Sequence, residues 1–84
     1  MAVFSVRYIH KISPSAQDVG PDIELTEADI NSPIRAKLRE LKILRKGQRC
    51  THRIEAEGKI VIFPWDSVWH SIILTPKTIP KENP

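Results

Sequence analysis

Residues 60–75 read IVIFPWDSVWHSIILT. This stretch holds both tryptophans, one of the two phenylalanines and a run of β-branched residues. Pro64-Trp65-Asp66-Ser67 divides it into two strand-like halves. Each half carries apolar residues on both faces, and a chain of 84 residues has little with which to cover two faces. The surplus points to a partner, a second copy of the chain included.

Just upstream, residues 50–56 alternate. Cys50, His52, Ile54 and Ala56 point one way; Thr51, Arg53, Glu55 and Glu57 point the other. Glu57-Gly58 reads as a two-residue hairpin turn. That turn pairs Ile54 with Val61 and His52 with Phe63 on the core face. It pairs Glu55 with Ile60 and Arg53 with Ile62 on the opposite face. In the last strand, residues 68–75, Trp69 and Ile73 fall on that same second face. The expected interface is therefore Ile60, Ile62, Trp69 and Ile73, with Trp65 at its rim. On this reading Ile62→Glu leaves a folded monomer.

Towards the N-terminus, Phe4, Val6 and Tyr8 alternate with Ser5 and Arg7, the period of a strand over residues 3–9. Residues 13–25 hold two prolines, a glycine and two aspartates, and read as a loop. Ser32-Pro33 is a helix-start signal, and Thr26 with Asp29 offers an earlier cap, so that a helix begins near residue 27 and is interrupted before Pro33. Ile34, Leu38, Leu41 and Leu44 then make one apolar stripe, and Gly47 supplies the stop. The predicted fold is α+β: an antiparallel sheet of about four strands, in the order β–α–β–β–β, with one helix packed on one face. Residues 1–75 form the domain, and the proline-bearing residues 76–84 an extended tail.

Composition narrows the functional classes. Hydrophobic residues at 40% and charged residues at 27% suit a globular domain. The single cysteine excludes an intramolecular disulfide and suits a reducing compartment. With no signal-like N-terminus, no membrane-length apolar run and no lipidation motif, the expected setting is soluble and cytoplasmic, without membrane contact.

Net charge is +3, but it is unevenly placed. Residues 18–29 hold five carboxylates and no Lys or Arg, whereas residues 30–59 hold nine basic residues against three acidic ones. Arg35, Arg39, Lys42 and Lys46 recur along one edge of the expected helix, and Arg49 and Arg53 extend the row. A row of cations is what phosphate binding requires. A solvated helix face has the same composition, because Lys and Arg are good helix formers.

Catalytic chemistry has little to build on. Cys50, His52 and His70, with His10 or Asp66 as a fourth group, lack the spacing of a zinc site. Cys50, His52 and Asp66 lack an oxyanion loop. The three glycines, at 20, 47 and 58, are too dispersed for a phosphate-cradling loop. The expected protein is a non-catalytic interaction or assembly module, without cofactor or small-molecule substrate. It self-associates or binds a larger protein through the apolar sheet face. Nucleic-acid binding through the basic row is the alternative.

Overall fold

The computed structural model describes residues 2–13, 15–31 and 34–77. Five antiparallel strands form one sheet: β1 (Ala2–His10), β2 (Gln17–Leu25), β3 (Cys50–Ile54), β4 (Ile60–Pro64) and β5 (Trp69–Pro76). Their spatial order is β2-β1-β5-β4-β3. Two short helices, α1 (Glu27–Asn31) and α2 (Ile34–Glu40), connect β2 to β3. The α+β class holds, with one strand more than expected.

The additional strand is β2, in the segment read as a loop. Its prolines and charges discouraged a strand assignment, yet β2 is an edge strand, where proline loses no ladder bond. The register with β1 shifts between Phe4 and Val6, opposite Pro21, so the proline sits at an irregularity. Gly20 lies across from Val6, and a Cβ there would meet the Tyr8 ring at 3.0 Å. The missing side chain lets Tyr8 lie against the edge. Burial pushes the Tyr8 phenol pKa up.

Helix α1 opens with the anticipated cap. The Asp29 amide donates to Thr26 Oγ1 at 3.1 Å, and the Thr26 amide donates to Asp29 Oδ2 at 2.9 Å. This reciprocal pair satisfies two amides that have no helical acceptor. The Ser32-Pro33 signal lies outside the described residues.

Helix α2 is shorter than its apolar stripe implied. It stops at Glu40, where Lys42 takes a left-handed φ of 67°. The Lys42 amide donates to the Arg39 carbonyl at 3.0 Å, and the Ile43 amide reaches back to the Leu38 carbonyl at 2.9 Å. This is a Schellman cap with lysine at the position usually given to glycine. Gly47 lies instead in a later turn, Arg45–Gln48. Leu44 keeps its place in the core but reaches it from the loop, not from a helix.

The core lies between one sheet face and α2. Phe4, Val6, Ile23, Leu25, Ile60, Ile62, Ile72 and Leu74 supply the sheet side; Ile34, Leu38 and Leu44 supply the cover. Among the described residues, no helix is long and apolar enough to cross a membrane.

Candidate functional site

The β3–β4 hairpin determines which residues are available for contact. Glu55 and Lys59 close it through a 2.7 Å backbone hydrogen bond, around a three-residue 3₁₀ turn, Ala56–Gly58. Glu57 and Gly58 both take positive φ, 68° and 82°. The loop is one residue longer than the Glu57-Gly58 turn assumed from sequence. Ile54 consequently pairs with Ile60, Arg53 with Val61 and His52 with Ile62. A one-residue change of register turns a strand over. Ile60 and Ile62 therefore face the core, at 0% exposure, and are not surface residues.

Trp69 is displaced for a similar reason. Ile9 pairs with Ser71 but His10 with Trp69, so the register slips and His70 is left out. Trp69 turns to the core side, 5.0 Å from the Tyr8 ring and 4.7 Å from the His10 ring. Of the expected interface, Ile73 alone lies on the second face, and Trp65 is 51% exposed in the turn after β4. The five residues do not form one surface.

The second face instead presents Val61 opposite Ile73, with Phe63 beside them. The Arg53 guanidinium stands 5.6 Å from the Phe63 ring centroid, and the His70 ring meets Phe63 edge-on at 6.2 Å. Arg7, Thr51, Ser71 and Thr75 intersperse them. This is the mixed face of an antiparallel sheet with one side towards water. The sheet also separates His70 from Cys50 and His52. Among the described residues, no three His, Cys, Asp or Glu side chains converge as metal ligands.

The basic row is broken up as well. Arg35 and Arg39 are helical; Lys42, Lys46 and Arg49 follow the helix, and Arg53 is on β3. Arg53 pairs with Glu55 at 2.7 Å. Lys42, Lys46 and Arg49 lie along the connection that follows the helix, and Arg39 joins them, its Nη2 donating to the Gln48 carbonyl at 3.3 Å. This 41–49 connection is tied to the 65–68 turn. The Trp65 amide donates to the Arg49 carbonyl at 2.9 Å, Gln48 Nε2 to the Trp65 carbonyl at 2.8 Å, and Arg45 Nη2 to the Asp66 carbonyl at 2.8 Å. Arg45 and Gln48 were missed in the sequence because neither falls on the helical spacing. The sheet's other end carries Glu55 and Glu57, with Glu55 held between Arg53 and Lys59.

The two edges of the sheet differ. β2 carries Gly20-Pro21, an irregular register and exposed carboxylates, all of which discourage further pairing. β3 has none of these. The hydrogen-bonded partners of β4 are the odd-numbered residues, as the Arg49–Trp65 and Glu55–Lys59 bonds show. Antiparallel pairs alternate, so the backbone groups of Cys50, His52 and Ile54 point away from the sheet. Ile54 is 50% exposed on that edge. No known family model, curated protein or solved structure matches this chain.

Proposed function

We propose that this chain is a non-catalytic assembly module that pairs with a second copy of itself along β3. The observation that carries the proposal is the β3 edge, accessible at His52 and at the half-exposed Ile54, with Cys50 buried at its start. The opposite edge is blunted, so pairing has one direction in which to proceed.

The register follows from symmetry and charge. A two-fold axis at His52 overlaps the two strands fully and sets Cys50 against the partner's Ile54. It also sets Arg49 against the partner's Glu55, twice, as a pair with closely spaced side chains. Strand addition of this kind draws affinity from main-chain hydrogen bonds and specificity from the flanking side chains.

Charge reversal tests the register. Arg49→Glu alone, or Glu55→Arg alone, sets like charges together and shifts the protein towards monomer in sedimentation equilibrium. The double variant restores wild-type association. Equal association in all four proteins would remove this contact from the account.

A further inference from the structure

We infer that the rim formed by Lys42, Arg45, Lys46 and Trp65 binds single-stranded nucleic acid. The inference does not rest on the β3 contact, whose backbone and side-chain groups lie outside this set.

Three observations converge. First, Lys42, Arg45 and Lys46 are, like neighbouring Arg39 and Arg49, in no ion pair among the described residues, whereas Lys37, Arg53, Lys59 and Lys77 are. Second, the surface there is concave: a depression of about 320 Å³ is lined by Arg45, Lys46, Gly47, Gln48, Arg49, Trp65 and Asp66, and Lys42 lines a neighbouring one together with Arg45 and Lys46. Third, the Trp65 backbone is held at both its N–H and its C=O, while half of the residue stays exposed. A half-exposed tryptophan on a fixed backbone, beside the unpaired Lys42 and Lys46 and an Arg45 tied to the Asp66 carbonyl, is the pairing that single strands use. Bases stack on the ring and the backbone tracks the charge.

The same geometry disfavours a duplex. Helix α2 has seven residues, and the cations lie on the loop after it, so no long basic helix is available to enter a major groove. Stacking on Trp65 needs unpaired bases. No base-edge readout is evident in the rim, so binding is expected to tolerate sequence.

The test is anisotropy of a labelled thymidine oligonucleotide of about 12 residues, with a duplex of equal length in parallel. The single strand is expected to bind more tightly, with a log–log salt slope of about −2, given some 0.7 per phosphate contacted by three cations. It should also quench tryptophan emission, and the quench should disappear in Trp65→Leu. Lys42→Glu with Lys46→Glu should abolish binding, and Trp65→Leu should weaken it about 5- to 100-fold. Circular dichroism must show both variants folded. If either fails to fold, Lys46→Gln alone replaces it, with a slope reduced by about 0.7. No binding at low salt, equal binding of duplex without quenching, or full binding by the folded double-lysine variant would overturn the inference.

Discussion

The Glu55 amide donates to the Lys59 carbonyl at 2.7 Å, and this bond sets the face on which Ile60 and Ile62 lie. The closure needs two successive left-handed residues, Glu57 and Gly58. Gly58 has a φ of 82°, and a Cβ added there would touch Pro76 at 3.4 Å. Gly58→Ala should therefore destabilise the fold by about 1 kcal/mol or more, read as a lower urea midpoint with unchanged slope.

Ile62 is fully buried against the helical layer. Ile62→Glu should unfold the protein, because an unpaired buried carboxylate costs several kcal/mol and a domain this small has about 5 kcal/mol of stability. Ile62→Ala should cost about 2–5 kcal/mol. Ile73→Ala, on the half-buried second face, should cost about 1 kcal/mol. Chemical denaturation of the three variants would rank them.

These contrasts also mark how far the sequence could be read. Alternation in 3–9, 50–56 and 68–75, with the apolar run after Gly58, was enough to identify four strands, and Thr26 with Asp29 was enough to locate α1. Register was not legible. A two-residue and a three-residue turn fit the same residues around Gly58, and the choice between them inverts β4. The bulge opposite His10 likewise has no local signature, and it moved Trp69 into the core. β2 was hidden because Pro21 argues against a central strand, whereas an edge tolerates it. The basic row failed because a lysine in the left-handed region ended α2 six residues before the expected end.

Lys42 adopts that left-handed conformation without being glycine. Lys42→Gly should stabilise the domain by up to about 1 kcal/mol, raising its thermal midpoint. The same variant removes one rim cation and should weaken oligonucleotide binding. Stability and binding would thus move in opposite directions.

Hydrogen bonding from the Thr26 amide, ahead of its hydroxyl and of the Lys37 charge, holds the Asp29 carboxyl pKa below its ordinary range. A carboxylate whose folded pKa is depressed adds stability that is fully present above the unfolded pKa. That stability is lost as pH falls through the folded pKa. Helix α1 should accordingly loosen in acid, and Asp29→Asn should flatten the acid limb of the stability–pH profile. Thermal melts of both proteins across the acid range would show it.

The most direct test of the β3 contact is amide hydrogen exchange at Cys50, His52 and Ile54, followed as protein concentration rises from about 10 µM to about 1 mM. Pairing between copies predicts that these three amides become protected together while β2 does not change. It also predicts that the mass climbs from 9.6 kDa towards twice that value. Unchanged exchange at all three amides, with the mass remaining at 9.6 kDa throughout, would contradict the account.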